Sequence, residues 1–343
     1  MSKKILIRSS IFALLICFLL LFGGQYLLDY SLKPEALKES RNVEQSFLKA
    51  FQDYPFLVEW TDSLLQSGRM GDLYIENKEG TRLHAYTIPA EVPTGNTAVL
   101  VHGYTDNAVS MLHIAHLYNK VLGFNVLMPD LYAHGLSEGE AIRMGWKDRL
   151  DVLQWAQEAE ELFGGDKPVK MVIHGVSMGG ATTLMAAGEI GYDFYQLPYV
   201  KAIVADCAYT TVWDEFAHQL KEQFSLPAFP LLHIANALCK WEYGWDFKQA
   251  SAIEGISNTI LPVMLIHGTD DNYVPTRMLY QLEKNCLLES ERYLVNGAGH
   301  AKAYKTNPEK YTERVESFIN KHFYPQEPNF LLDFQTDAAY GSR

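Results

Sequence analysis

Gly175-Val176-Ser177-Met178-Gly179 sets a serine between two glycines, directly after an apolar run ending at Ile173-His174 and ahead of the helix formers of Ala181 to Glu189. G-x-S-x-G in a strand-turn-helix setting presents a serine hydroxyl at the end of a strand, and its glycines leave room where a Cβ would meet the neighbouring strand and helix. Such a hydroxyl is a weak nucleophile until a general base, itself oriented by a carboxylate, takes its proton. With this elbow the acid follows the serine along the chain and the histidine comes last. Downstream, His267-Gly268-Thr269-Asp270-Asp271-Asn272-Tyr273-Val274-Pro275 offers two acids, and Asn296-Gly297-Ala298-Gly299-His300 offers a histidine in a glycine-rich loop. Among 11 histidines only His300 and His322 lie beyond the acids. His322 ends a helical stretch away from any strand edge, so His300 is the expected base.

Acyl transfer through a serine also needs donors for the tetrahedral oxyanion. With this elbow they are two backbone N–H groups, one on the residue after the nucleophile and one in the loop after the third strand. Met178 is the first. The loop His102-Gly103-Tyr104 follows the apolar run Ala98 to Val101 and makes Tyr104 the second; the longer HGGG form is absent. His102, His134, His174 and His267 are read as structural. His113 and His116, three apart on a helical stretch, could reach one metal ion, but no third ligand lies near them. No metal and no cofactor are expected.

A sheet must hold these groups together. Short apolar runs at Ala98 to Val101, Val126 to Met128, Val169 to Ile173, Ala202 to Ala205, Val263 to Ile266 and Tyr293 to Val295 suit strands buried on both faces, and Asp72 to Ile75 with Arg82 to Ile88 reads as a hairpin. Helical candidates at Met111 to Leu122, Trp146 to Phe163, Gly180 to Glu189, Arg277 to Leu288 and Glu309 to Lys321 lie between and after them. The alternation implies an α/β domain with a mostly parallel eight-stranded sheet flanked by helices, over residues 71–325. Residues 211–260 break the rhythm with Pro227, Pro230 and many aromatics, and read as a small helical lid.

The N-terminus carries Lys3, Lys4 and Arg8, then an apolar run from Ile11 to Phe22. Ser9 to Leu28, at about 1.5 Å per residue, is long enough to cross a hydrocarbon core of about 30 Å. Residues 1–30 are therefore expected to form a transmembrane signal anchor, with the cations held in the cytoplasm and the rest outside it. A cleaved signal and a secreted or periplasmic protein compete, although the A-x-A pattern of a cleavage site is missing. Residues 31–70 read as a helical approach segment and 326–343 as a tail. A net charge of -12 without a run of lysines and arginines argues against nucleic-acid binding. Beyond Cys17, the three cysteines Cys207, Cys239 and Cys286 cannot all pair, and one disulfide stays open.

Val101-His102-Gly103-Tyr104, the block Pro129 to Gly139, Gly175 to Gly180, His267 to Pro275 and Gly297 to His300 resemble a bacterial group of α/β-hydrolase fold serine hydrolases. That group has single-spanning, extracytoplasmic esterase-like members and is similar to cinnamoyl esterases. The resemblance covers roughly residues 72–322. It implies Asp271 rather than Asp270 as the acid, through the D-x-x-V-P spacing, and a structural role for Pro129 to Gly139. The expected activity is carboxylic ester hydrolysis through an acyl-enzyme on Ser177, the aromatic lid favouring small apolar or aromatic acyl groups. A peptidase or thioesterase using the same three residues, and a catalytically silent membrane-tethered binding module, are the alternatives. The expected partner is a small-molecule ester; oligomeric state is not readable.

Overall fold

Ala98 and Leu100 turn to one side of their strand and Val99 and Val101 to the other, and all four are fully buried. The strand lies in a sheet covered on both faces, which is why its sequence reads as continuously apolar. The computed structural model describes residues 3–190, 196–288 and 290–324; the tail expected over 326–343 lies outside the described residues.

Eight strands, β1 (Gly71–Glu76), β2 (Arg82–Ile88), β3 (Asn96–Val101), β4 (Asn125–Pro129), β5 (Lys170–Val176), β6 (Val200–Asp206), β7 (Val263–Gly268) and β8 (Glu291–Val295), form one sheet in the order β1-β2-β4-β3-β5-β6-β7-β8. β2 pairs antiparallel with β1 and β4, and every other pairing is parallel. The strand order reverses between β3 and β5, and in open parallel sheets the crevice at the strands' C-terminal ends at such a reversal is where ligands bind.

The helices are α1 (Lys3–Leu32), α2 (Glu35–Ser40), α3 (Val43–Asp53), α4 (Leu57–Gln66), α5 (Leu112–His116), α6 (Asp148–Gly164), α7 (Met178–Glu189), α8 (Val212–Phe224), α9 (Leu231–Tyr243), α10 (Ala252–Asn258), α11 (Arg277–Lys284), α12 (Ala303–Thr306) and α13 (Pro308–Phe323). One core packs α6, α7, α10 and α11 on the sheet with Val99, Ile173, Ile203 and Leu265. The other packs α4, α5 and α13 on the opposite face with Leu100, Val172, Val204 and Ile266. α8 and α9 belong to the insertion between β6 and β7. α10, in the same stretch of sequence, lies against α7, where a Cβ on Gly188 would stand 2.7 Å from Gly255 Cα.

α1 has two parts with different surroundings. Ile11, Phe12, Leu14, Phe18 and Phe22 are all more than half exposed, and α1 is the one helix among the described residues long and apolar enough to cross a membrane. From Gly23 onward it packs on α9, and Leu28 and Leu32 join the first core. Burial of such leucines contributes about 1.5–3 kcal/mol each. The close approach needs glycine: a Cβ on Gly24 would lie 2.4 Å from Ile234 Cγ2. Cys17, Cys207, Cys239 and Cys286 are all free, so the disulfide left open by the sequence does not form.

Candidate active site

β5 ends at Val176 and α7 begins at Met178, which leaves Ser177 alone to reverse the chain, at φ 57° and ψ -119°. A left-handed serine is strained, and the surroundings hold it there. Its N–H donates to Asp206 O at 2.8 Å. On either side the backbone is packed tightly, since a Cβ on Gly175 would meet Gly179 O at 2.1 Å and one on Gly179 would meet Val101 O at 2.1 Å. The glycines of the motif are there for space, and Ser177 is pinned where β3, β5 and α7 converge.

The structure brings together three residues named from the sequence. Ser177 Oγ lies 2.8 Å from His300 Nε2, and His300 Nδ1 lies 2.8 Å from Asp271 Oδ2. The other carboxylate oxygen accepts the N–H groups of Tyr273 at 3.0 Å and Val274 at 2.9 Å. His267 Nε2, which donates to Val274 O, is 3.4 Å from Asp271 Oδ2. Burial by itself would raise the Asp271 carboxyl, but the His267 and His300 hydrogen bonds outweigh it and bring it down to about 2. Facing an ionised carboxylate, His300 carries its proton on Nδ1 and turns the Nε2 lone pair to the serine hydroxyl. Asp270 is exposed and accepts a hydrogen bond from the Thr269 hydroxyl.

Met178 opens α7, so its N–H is one of the unpaired donors of a helix N-terminus. The His102-Gly103-Tyr104 loop lies close by, with the Cβ position of Gly103 3.4 Å from Ser177 Cβ. His102 fixes that loop: its Nε2 accepts the Leu131 N–H at 2.9 Å, so its Nδ1 donates to Gly103 O at 2.8 Å. Burial lowers its pKa and keeps it neutral. Asp130 ties the Pro129 to Gly139 block down, accepting from the N–H groups of Ala108 at 2.7 Å and Leu136 at 3.0 Å. His113 stacks on Tyr54, with ring centroids 4.5 Å apart, and His116 packs edge-on to Trp60. Among the described residues, one group could hold a metal ion: Cys207, Asp271 and His300, whose ligand atoms lie within 4.8 Å of one another. Two of its members already bond each other.

The sequence reading missed the walls. Ser177, Met178 and Tyr104 border a cleft of about 690 Å³, part of it open to solvent, and its lining includes Leu27, Tyr30 and Ser31 of α1. Tyr104 donates its hydroxyl to Ser31 O at 2.8 Å, and Tyr30 donates to Gln223 Oε1 at 2.9 Å. Glu215 on α8 lines the same cavity. Burial pushes its carboxyl up to about 8, against the Gln219 hydrogen bond.

Residues 98–313 match the model of the alpha/beta hydrolase family. The chain belongs to that family. As an α/β hydrolase it is similar to the uncharacterized protein YqkD of Bacillus subtilis, 31% identical over 239 residues, or 66% of this chain and 72% of that one. In fold it is similar to the Pyrococcus furiosus esterase Pf2001, with a TM-score of 0.59 at 20% identity, covering 74% of this chain and 92% of that chain. Est1E from Butyrivibrio proteoclasticus, with ferulic acid bound, gives a TM-score of 0.56 at 20% identity over 73% of this chain and 99% of its own.

Proposed function

We propose that this α/β hydrolase is a serine carboxylesterase held at the cell membrane by α1. The observation that carries the reading is the line from Ser177 through His300 to Asp271, two hydrogen bonds of 2.8 Å at a left-handed elbow. Ser177 attacks the ester carbonyl while His300 takes its proton; the N–H groups of Met178 and Tyr104 receive the oxyanion; His300 returns the proton to the departing alcohol, and water then cleaves the acyl-enzyme. Asp271 holds the imidazole in the tautomer the first step needs. No part of the sequence uses a cofactor. The fold is shared with the esterases Pf2001 and Est1E and equally with a peptidase, so esters and amides are tried side by side. The test is labelling of the full chain by a fluorophosphonate and turnover of p-nitrophenyl, cinnamoyl and thiol esters and aminoacyl amides. Ser177→Ala should abolish labelling and turnover together, and undiminished turnover in that variant would dismiss Ser177.

The same reading places residues 1–30 as a single-pass anchor, 31–70 as a helical segment against the domain, and 71–325 as an extracytoplasmic catalytic domain with its lid near 211–260. Lys3, Lys4 and Arg8 before the apolar run support this orientation. Alkaline phosphatase fused after His322 should be active and sediment with membranes. Activity confined to the soluble periplasm or medium would favour a cleaved signal, and a silent fusion would reverse the topology.

A further inference from the structure

Two cavities share Tyr104 in their walls; Ser177 lines the first, and Val176 and Ala301, the neighbours of Ser177 and His300, line the second. The first, a partly open cleft of about 690 Å³ with open solvent included, has Leu27, Met144, Phe216, Leu220, Phe224 and Leu232 in its mostly apolar lining. The second, of about 1360 Å³ with open solvent included, is mixed in character, with Lys49, Asp106, Asp206 and Lys302 among its lining residues. Asp206 is only 3% exposed, and its Oδ1 has no hydrogen-bond partner among the described residues. A buried carboxylate oxygen left without a donor is costly unless a bound group supplies one.

The departing oxygen must receive its proton from His300, which is compatible with an alcohol on the side lined by Ala301 and Lys302 and an acyl group past Met178 in the first, more apolar cavity. That cavity is built against α1. Leu27 is five residues beyond Phe22, the end of the exposed apolar run, or about 7.5 Å along the helix. The turn between α8 and α9 is level with the same point, because a Cβ on Gly23 would lie 3.0 Å from Leu231 Cδ2. Around it Phe224, Leu226 and Phe229 are 37%, 38% and 71% exposed, with Phe224 edge-on to Tyr30 at 5.5 Å. Exposed aromatic and apolar side chains beside a span are the composition of a membrane interface.

We propose that the substrate is a single-chain acyl ester of a polar, hydroxyl-bearing alcohol drawn from the bilayer that holds α1, its chain in the cavity walled by Leu27 and its alcohol beside Asp206. The proposal rests on the serine-hydrolase reading above. In the reaction Ser177 Oγ forms a bond to the acyl carbon, the ester C–O bond breaks with His300 protonating the alcohol oxygen, and water then releases the fatty acid and restores Ser177.

The full chain is placed in nanodiscs of ether-linked phosphatidylcholine doped with 1-monopalmitoylglycerol, 1-palmitoyl-lysophosphatidylcholine or dipalmitoylglycerol, and fatty acid release is followed. One of the two single-chain esters should be cleaved with kcat/KM about tenfold or more above the two-chain ester, and which one reports whether the polar group includes a phosphate. Leu27→Trp, which fills the apolar cavity, should move the preferred acyl length from palmitoyl to shorter chains. Asp206→Asn should raise KM for monopalmitoylglycerol more than for p-nitrophenyl palmitate. Phe229→Asp, outside both cavities, should slow release in nanodiscs and leave hydrolysis of dissolved p-nitrophenyl butyrate unchanged. Ser177-dependent cleavage of p-nitrophenyl butyrate with inert palmitoyl esters would overturn this inference and leave the serine-hydrolase reading standing. Equal turnover of one-chain and two-chain esters would overturn it as well, and absence of any Ser177-dependent cleavage would remove both.

Discussion

Replacing Asp271 by asparagine removes a charge and keeps the shape, and the surroundings dictate how the amide must sit. One carboxylate oxygen accepts two backbone N–H groups, from Tyr273 and Val274. An amide NH2 placed there would face two donors, so the amide oxygen takes that position and the NH2 turns to His300 Nδ1, 2.8 Å away in the native site. Its N–H then donates to Nδ1, which moves the imidazole proton to Nε2, where it faces the Ser177 hydroxyl. A protonated Nε2 cannot accept the serine's proton. The same inversion in serine proteases lowers kcat about 10⁴-fold, which is about 5 kcal/mol at 1.36 kcal/mol per factor of ten. We expect Asp271→Asn to lose kcat on p-nitrophenyl butyrate by that order, with an unchanged thermal melt showing that the fold is intact. Asp270→Asn should stay within about threefold, because an exposed charge is screened by solvent. A loss of less than about tenfold in Asp271→Asn, or a larger loss in Asp270→Asn, would refute the tautomer argument.

Glu215 should give the acyl cavity a pH dependence: with its carboxyl pushed up to about 8 it is neutral below that pH and charged above it, so KM for long-chain esters should rise through about 8 and Glu215→Gln should flatten the rise. The sign for stability is the same, since a carboxyl raised above its unfolded value of 4.5 stabilises the fold below that pH and loses the contribution as pH climbs through about 8. Melting of wild type and Glu215→Gln at pH 5 and 9 checks it, and parallel curves would count against a buried carboxyl. Gly179→Ala should cost about 3 kcal/mol or more and abolish turnover, because the new Cβ would stand 2.1 Å from Val101 O and 2.5 Å from His102 O. A normal melting temperature would show that the β3 end yields more easily than argued. Cadmium, which prefers thiolate ligands, should inhibit through Cys207, Asp271 and His300 by drawing His300 off its carboxylate, and Cys207→Ala should relieve that inhibition. Equal inhibition of both forms would place the ion elsewhere.

What the sequence made legible was local in character. The elbow at Gly175 to Gly179 announces itself because strain and crowding restrict residue type within five positions. The central apolar strands read correctly because burial on both faces leaves no polar alternation to confuse with solvent-facing strands, as at Ala98 to Val101, whereas Tyr293 and Leu294 lie on the edge strand β8 and are only half-buried. The family's order of serine, acid and histidine pointed to His300, which the structure sets against Ser177 across 123 residues of chain. The cavity walls had no such signal. Tyr30 meets Gln223 across 193 residues and Tyr104 meets Ser31 across 73, and nothing in the apolar run before Gly23 indicates that its continuation turns inward. Asp206 and Glu215 were equally silent, since a carboxylate that is buried and one that is solvated look alike until the fold surrounds them.

α1 runs without a break from its exposed apolar turns into the wall of the cavity. With Ile7 to Phe22 in a bilayer, the catalytic domain has no slack to swing on. An ester dissolved in that bilayer would be met in two dimensions, while a water-soluble ester would still arrive from solution. The rate on the bilayer ester would then follow its mole fraction within the membrane and be insensitive to its bulk concentration. Adding inert lipid at constant total substrate should slow cleavage of such an ester by surface dilution.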